Sequence, residues 1–241
     1  MIKVKICGIT NLDDAQFAIQ SGASALGFIF AESPRKVSKE IVREIINKLE
    51  TDISGQFPIF KVGVFVNENI NTIIEIAKYC QLTHIQLHGD ESPEYCEQLT
   101  FPIIKAFRLQ DKLGTNAGNG FKPFPTKNLG TDDLHQSQNL VQEIKKYQTI
   151  YAFLLDTYHK GIYRGTGKQF DYKLLKDLPR DKVFFLSGGL NPDNIVEVVQ
   201  IANPDWVDIS SGVEISPGKK DKSKIQKLFQ NLKSANLISI P

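Results

Sequence analysis

The sequence predicts an α/β protein built as a single (β/α)8 TIM barrel that spans residues 1–241. The chain has 241 residues, close to the roughly 250 that one such barrel needs. Eight short apolar runs rich in β-branched and aromatic residues are spread along it, and stretches with helical spacing alternate with them. An open doubly wound sheet is the alternative architecture. Eight units and the lack of a dinucleotide-binding glycine fingerprint disfavour it.

The predicted strands are short, apolar and evenly distributed. They cover residues 2–7, 25–30, 61–66, 84–87, 103–107, 150–155, 183–186 and 206–209. The predicted helices cover residues 12–20, 39–49, 70–79, 93–98, 137–147, 192–200 and 222–232. Capping side chains precede three of these helices, namely Asn11, Ser38 and Asn191, and Pro192 would occupy the first helical position after Asn191.

Residues 110–136 interrupt this alternation. The segment is rich in glycine and proline and has no clear hydrophobic period. A structureless stretch of this length is unusual in a compact domain. Because it follows the fifth strand, we expect it on the catalytic side of the barrel. It is either a mobile surface excursion or a lid or partner contact.

Composition excludes several classes of function. The formal net charge is only +2, which does not favour a nucleic-acid partner and suits a small anionic substrate weakly. Three cysteines without a C-x-x-C pair and four histidines without metal-binding spacing argue against a disulfide framework and a metal site. No apolar run reaches the length of a membrane span. We therefore expect a cytoplasmic protein with no membrane partner.

Cys7 is a candidate catalytic residue at the end of the first strand. Val4 and Ile6 share one side of this strand, and if they face the helices, Cys7 points into the barrel at its upper rim. Gly8 then begins the following loop and leaves space beside the thiol. The alternative is that Cys7 is simply a small core residue.

Asp156 is the second candidate, at the end of the sixth strand. Ala152, Leu154 and Asp156 form the smaller set of this strand, which suits the barrel interior. The carboxyl would then face the same rim as Cys7. An unpaired buried carboxylate is costly, so Asp156 needs a functional role, a helix to cap or a basic partner.

Glycine-bearing turns follow the last two strands, as in many phosphate-binding barrels. Gly188 and Gly189 lie after the seventh strand, and Ser211 and Gly212 lie after the eighth. Both turns together favour a phosphate site over ordinary turns. Arg35, in the loop after the second strand, suits a carboxylate or phosphate, although it could also be a solvated loop residue.

Segments along nearly the whole chain resemble the phosphoribosylanthranilate isomerase family, within the ribulose-phosphate-binding barrel superfamily. The segments are KICGITN (5–11), LGFIF (26–30), SPRKVS (33–38), VGVFVN (62–67), IQLHGDE (85–91), FLLDT (153–157), GTGKQFD (165–171), LSGGLNPDN (186–194), DISSGVE (208–214) and PGKKD (217–221). They occur in the family's order, and the combination is highly specific. The departures are the long 110–136 excursion and the pair Tyr163–Arg164, where a further glycine is common.

The resemblance implies an Amadori rearrangement in tryptophan biosynthesis. N-(5-phosphoribosyl)anthranilate would become 1-(2-carboxyphenylamino)-1-deoxyribulose 5-phosphate, with Asp156 as the acid that opens the furanose and Cys7 as the base. Desolvation raises the pKa of an inward-facing carboxyl, and a cation such as Lys5 would increase the thiolate fraction of Cys7. No metal or cofactor is implied, because the anthranilate nitrogen supplies the electron sink.

The resemblance also assigns binding residues. Arg35 would bind the anthranilate carboxylate, His88 and Asp208 would contact substrate, and the glycine turns would hold the phosphate. The expected partner is a phosphorylated small molecule, and the protein would be a monomer or homodimer.

The alternative function is another sugar-phosphate aminoaldose isomerase of the same superfamily. The histidine-pathway enzyme would call for aspartate in place of Cys7, and indole-glycerol-phosphate synthase would call for a lysine–glutamate arrangement that is not found. A barrel that binds a sugar phosphate without catalysis is disfavoured by the simultaneous presence of Cys7 and Asp156.

Overall fold

The computed structural model describes residues 1–52, 59–108, 133–157, 175 and 178–239. Its eight barrel strands run parallel in sequence order, and the eighth pairs with the first to close the barrel. The strands are β1 (Lys3–Cys7), β2 (Ala25–Ile29), β3 (Phe60–Phe65), β4 (His84–Leu87), β5 (Ile103–Arg108), β6 (Ala152–Asp156), β7 (Val183–Ser187) and β8 (Trp206–Ile209). The predicted (β/α)8 barrel is confirmed, with every strand within about two residues of its expected place.

Helices lie between and after these strands. They are α1 (Leu12–Ser21), α2 (Lys39–Asp52), α3 (Ile70–Tyr79), α4 (Pro93–Glu97), α5 (Asp133–Lys146), α6 (Ile195–Ala202) and α7 (Lys222–Ser234). A short antiparallel hairpin, β9 (Glu214–Ser216) and β10 (Lys219–Lys220), follows β8. In the part of the chain that is described, no helix has the length and apolar character needed to cross a membrane.

All three predicted capping side chains accept a backbone hydrogen bond. The Asn11 side chain accepts one from the Asp14 N–H at 2.9 Å, and Ser38 Oγ accepts one from the Ile41 N–H at 3.4 Å. The Asn191 side chain accepts one from the Asp193 N–H at 2.8 Å. The predicted start of the sixth helix at Pro192 is wrong, because residues 192–194 form a turn and α6 starts at Ile195.

The end of the predicted 110–136 excursion is helical. α5 begins at Asp133, four residues before its predicted start, so residues 133–136 belong to this helix. Leu134 lies seven residues before Val141, and the helical period therefore already includes it. The rest of the excursion, from 110 to 132, lies outside the described residues.

The core has an outer layer between strands and helices and an inner layer inside the barrel. Val4 and Ile6 belong to the outer layer, whereas Ala152 and Leu154 belong to the inner layer. This is the strand orientation predicted from residue parity. It sends Cys7 and Asp156 toward the interior at the carboxyl ends of β1 and β6.

Aromatic rings fill the opposite, amino-terminal end of the barrel. His84 stacks on Phe60 with ring centroids 3.9 Å apart, and Trp206 stacks on Phe60 at 5.1 Å and on Phe185 at 4.9 Å. Stacked rings of this kind contribute more than their buried area alone. This end is therefore closed by packing, and the polar interior groups lie toward the other end.

Candidate active site

Cys7 occupies a space that the neighbouring strand leaves for it. The residue is only 6% exposed and pairs in register with Gly27 of β2. A Cβ atom at Gly27 would lie 2.7 Å from Cys7 Sγ and 3.0 Å from Lys5 Cε. Since real Cβ contacts are not this short, glycine at position 27 is what allows both side chains to enter the barrel.

Lys5 and Asp208 form an ion pair inside the barrel. Lys5 Nζ donates to Asp208 Oδ1 at 2.9 Å, and the side chains are 0% and 5% exposed. Burial lowers the pKa of Lys5, but Asp208 and Cys7 together outweigh it and raise the pKa above its ordinary value. Lys5 therefore stays charged at neutral pH, and Asp208 faces the barrel interior.

Burial raises the pKa of the Cys7 thiol, and Asp208 adds to this shift, whereas Lys5 and Lys220 oppose it. The sequence analysis expected Lys5 to increase the thiolate fraction. Lys5 does act in that direction, but desolvation is the larger effect. The thiolate is thus the minor form at neutral pH, and it is strongly basic when it forms.

Interior side chains connect Lys5 to Asp156. Lys5 Nζ donates to Gln86 Oε1 at 2.8 Å, Gln86 Nε2 lies 2.9 Å from His88 Nδ1, and His88 Nε2 lies 3.3 Å from Asp156 Oδ2. Gln86 is 1% exposed, and the side chains of His88 and Asp156 are 16% and 20% exposed. A continuous polar chain therefore runs across the barrel from Asp208 to Asp156.

Buried contacts hold the loop that follows β4 and carries His88. Glu91 accepts hydrogen bonds from the backbone N–H groups of Asn67 at 2.8 Å and Gly89 at 3.0 Å. Lys105 Nζ, on the outer side of β5, donates to Glu91 at 3.0 Å and to the Gly89 carbonyl at 2.8 Å. Both charges are nearly fully buried, so this loop has little freedom to move His88.

Arg35 is oriented by Glu214, an acid of the hairpin that follows β8. Its Nε donates to Glu214 Oε1 at 2.9 Å and its Nη2 to Glu214 Oε2 at 2.7 Å. Lys220 Nζ donates to Glu214 at 2.8 Å and to the Cys7 carbonyl at 2.6 Å. Burial raises the pKa of Glu214, but the hydrogen bonds from Arg35 and Lys220 outweigh it and hold the pKa below its ordinary value.

Gly8 lets Arg35 approach the catalytic rim. Gly8 has φ +75°, and a Cβ there would lie 2.7 Å from Arg35 Cδ and 3.1 Å from Ser210 Oγ. The Arg35 side chain is 20% exposed. The predicted anion-binding arginine therefore lies directly beside the loop that leaves Cys7.

Side-chain hydrogen bonds fix the direction of the carbonyl groups in the glycine turn after β7. Thr157 Oγ1 donates to the Ser187 carbonyl at 3.0 Å and to the Gly188 carbonyl at 3.3 Å, and Asn194 donates to the Gly189 carbonyl at 3.1 Å. A trans peptide keeps its C=O and N–H on opposite sides. The N–H groups that follow these carbonyls therefore point away from Thr157 and Asn194.

The turn after β8 packs directly on the turn after β7. A Cβ at Gly212 would lie 1.9 Å from the Leu190 carbonyl oxygen, so only glycine fits there. Ser210 Oγ, at the start of this turn, is the buried side-chain polar atom without a hydrogen-bond partner among the described residues. The two predicted phosphate turns thus form one surface.

Sequence reasoning missed several interior residues. Gln86, Glu214 and Lys220 lie in segments that carried the family resemblance, but only their neighbours were given roles. A polar residue at an inward position of an apolar strand was the available signal for Gln86. The GTGK segment and Tyr163–Arg164 lie outside the described residues. Within the described residues, no three His, Cys, Asp or Glu side chains are grouped so that they could hold a metal ion.

Comparisons with known proteins agree with this architecture. The family model of N-(5'-phosphoribosyl)anthranilate isomerase matches residues 4–120 and 131–231. The protein of that name from Thermotoga neapolitana is 39% identical, over 97% of this chain and 99% of its own. The crystal structure of phosphoribosyl anthranilate isomerase from Thermotoga maritima superposes with a TM-score of 0.74 at 36% identity, over 97% of this chain and 100% of that one.

A further solved structure of the same enzyme contains reduced 1-(o-carboxyphenylamino)-1-deoxyribulose 5-phosphate. It has a TM-score of 0.72 and 34% identity, over 97% of this chain and 100% of that chain. Family match, identity and nearly full-length coverage agree with the barrel described above. The chain therefore belongs to the N-(5'-phosphoribosyl)anthranilate isomerase family and is an aldose–ketose isomerase.

Proposed function

We propose that this chain catalyses the rearrangement of N-(5-phosphoribosyl)anthranilate with Asp156 as general acid and Cys7 as general base. The observation that carries the proposal is the polar chain inside the barrel. It ends at Asp156 on one side and begins at Lys5, next to Cys7, on the other. The interior below this chain is filled by apolar residues, so the ionisable groups lie at the carboxyl-terminal rim, where Cys7 and Asp156 end their strands.

The first step is opening of the furanose ring. Asp156 donates its proton to the ring oxygen, the bond from the first ribose carbon to that oxygen breaks, and the anthranilate nitrogen lone pair forms the C=N bond. The product is a protonated Schiff base. Asp156 suits this step because its side chain is partly buried at the inner rim, where its Oδ2 lies 3.3 Å from His88 Nε2.

The second step is removal of a proton from the second ribose carbon. The Cys7 thiolate takes this proton, and the electron pair moves through the C=N bond to the nitrogen, giving an enolamine that becomes the ketose. Burial raises the pKa of Cys7, so the thiolate is scarce but strongly basic. The thiolate fraction grows with pH, and the rate follows it for as long as Asp156 keeps its proton.

The remaining residues bind the substrate. Arg35, held by Glu214 on one side, takes the anthranilate carboxylate. Gly188 and Gly189 hold the phosphate together with Ser211 and Gly212, through N–H groups of turns whose geometry glycine alone allows.

His88 and Asp208 are proposed to contact the ribose. Each already has one interior partner, Gln86 and Lys5 respectively. The substrate is a phosphorylated small molecule. Assembly as a monomer or homodimer and a cytoplasmic location stay predictions.

Loss of phosphoribosylanthranilate fluorescence tests the proposed function directly. The purified protein, without added metal or nucleotide, should convert the fluorescent substrate to the carboxyphenylamino ketose in a concentration-dependent way. An aminoaldose of the histidine pathway serves as the matched control substrate, and its turnover should be much slower. Turnover of the control substrate alone would contradict the proposal.

A further inference from the structure

Gln86 is buried between a lysine and a histidine, and the direction of its amide is fixed by the lysine. The Lys5 ammonium has three donors and no acceptor, and its Nζ lies 2.8 Å from one amide atom of Gln86. That atom must be the oxygen. Lys5 stays charged, since Asp208 and Cys7 together hold the pKa of the lysine above its ordinary value against the effect of burial. The amide therefore cannot reverse without placing N–H groups against an ammonium.

The amide direction in turn fixes the protonation of His88. With Oε1 on Lys5, the NH2 group of Gln86 faces His88 Nδ1 at 2.9 Å. This NH2 group only donates, so Nδ1 must accept and carries no hydrogen. A neutral imidazole has one N–H, which then lies on Nε2 and points at Asp156 Oδ2, 3.3 Å away.

We infer that Gln86 is a positioning residue for the proposed reaction, which holds His88 as the neutral Nε2–H tautomer, so that His88 does not compete with the substrate for the proton of Asp156. His88 cannot take that proton at Nε2, which is already protonated. Protonation at Nδ1 would break the bond from the Gln86 amide. A neutral ring that donates from Nε2 also favours the ionised form of Asp156 less than a cationic ring would.

Other charged groups around His88 do not alter this assignment. Asp156 on β6 is its direct neighbour, and Lys5 on β1 acts through Gln86. On β5, Arg108 pairs in register with Asp156. Among the described residues, Gln86 is the hydrogen-bond partner of His88 Nδ1, so this bond decides which ring nitrogen carries the proton.

The inference rests on the proposed role of Asp156, but its first test does not involve catalysis. Nitrogen-15 NMR of the four histidine rings, assigned with a His88→Gln sample, should show an unprotonated Nδ1 and a protonated Nε2 for His88 at pH 7.5. A protonated Nδ1, in either the other tautomer or the doubly protonated ring, would overturn the inference even if Asp156→Asn abolishes turnover.

A pair of variants tests the consequence for the reaction. In Gln86→Glu the carboxylate can accept from Lys5 but cannot donate to His88, so Nδ1 gains a hydrogen and the ring becomes cationic. We expect kcat to fall at least about tenfold at pH 7.5, and the alkaline limb of its pH profile to move to lower pH. Gln86→Met is the matched control, because it removes both hydrogen bonds without adding an acceptor.

Comparison of the two variants separates positioning from packing. Gln86→Met should lower kcat less than Gln86→Glu and should not move the alkaline limb, while KM changes little in both. Circular dichroism establishes that each variant is folded. Equal pH profiles for the two variants and the wild type would contradict the inference, and the wild-type NMR result decides it if either variant fails to fold.

Discussion

Two histidines on one strand show how the two ends of the barrel differ. His84 and His88 lie four residues apart around β4, on the side that faces the interior. His84 is 6% exposed, lies between aromatic rings, and burial lowers its pKa to about 4. His88 lies between an amide and a carboxyl. Of the two histidines, His84 packs against aromatic rings at the amino-terminal end, and His88 is part of the polar chain at the carboxyl-terminal end.

The side chains on the inner side of β4 change from aromatic packing to polar contacts within four residues, from His84 to His88. Gln86, between the two histidines, separates the aromatic layer from the polar rim. Barrels generally place stability at the amino-terminal end of the strands and chemistry at the carboxyl-terminal end. Variants at the two ends should therefore affect different measurements, and the following predictions test that separation.

The largest expected effect is on turnover at the polar rim. Cys7→Ala and Asp156→Asn should each lower kcat by about 10²–10⁴-fold, because each removes one general acid–base group. Cys80→Ala is the matched control, since Cys80 is also fully buried but lies at the end of α3 and should leave kcat nearly unchanged. Steady-state kinetics gives these values, and near-normal turnover of either rim variant would reject its assigned role.

The next effect is on stability at the aromatic end. The pKa of His84 is about 4 in the folded protein and about 6.5 when unfolded. Its neutral form therefore contributes fully above pH 6.5, and the contribution is lost as the pH falls through 4. The loss is at most about 3 kcal/mol in the free energy of unfolding.

Urea unfolding at several pH values between 7 and 4 measures this contribution. The difference between wild type and His84→Phe isolates it, because Phe keeps the stack on Phe60 and cannot ionise. The variant should lose less stability on acidification and should keep the kcat of the wild type at neutral pH. Parallel stability curves for the two proteins would contradict the assignment of His84.

A smaller effect is expected for substrate binding. Arg35→Ala should raise KM by roughly tenfold to a hundredfold, as expected for loss of charge-assisted hydrogen bonds worth about 1.5–3 kcal/mol. Arg180→Ala is the control, since Arg180 precedes β7 at the amino-terminal end of the barrel. A fall in kcat with an unchanged KM would show that Arg35 does not bind the substrate carboxylate.

The smallest effect concerns the hydroxyl of Ser210. Its buried Oγ lacks a hydrogen-bond partner among the described residues, so Ser210→Ala should raise the free energy of unfolding by about 1 kcal/mol in the absence of substrate. Ser211→Ala, at an exposed neighbour, should change it by less than about 0.5 kcal/mol. Destabilisation by Ser210→Ala would mean that the hydroxyl has a stabilising contact.

The barrel was predictable from sequence because the alternation of side chains along a strand and the hydrophobic period of a helix are both properties of short stretches of sequence. The apolar residues Val4 and Ile6 on one side of β1 were enough to predict that Cys7, on the other side, faces the interior. The small residues Ala152 and Leu154 of β6 predicted the same orientation for Asp156. The start of α6 differs from its predicted position by three residues. In the turn that precedes it, the Asn191 and Asn194 side chains donate to the Gly189 carbonyl.

The site residues that sequence reasoning missed act through distant partners. Gln86 and Lys5 are 81 positions apart, and Arg35 and Glu214 are 179 apart. No spacing rule connects such residues before the barrel brings their strands together. The rise in the Cys7 pKa could not be predicted from the sequence either. It depends on how completely the surrounding strands exclude water, and not on the neighbouring Lys5 alone.

A crystal structure of this chain with reduced 1-(o-carboxyphenylamino)-1-deoxyribulose 5-phosphate tests the central claim most directly. The account predicts that Cys7 Sγ lies within about 4 Å of the second carbon of the sugar chain and that Asp156 faces the same sugar from the other side of the barrel. It also predicts the phosphate at the Gly188–Gly189 turn. A complex in which the thiol and the carboxyl line separate cavities, with the sugar touching only one of them, would contradict it.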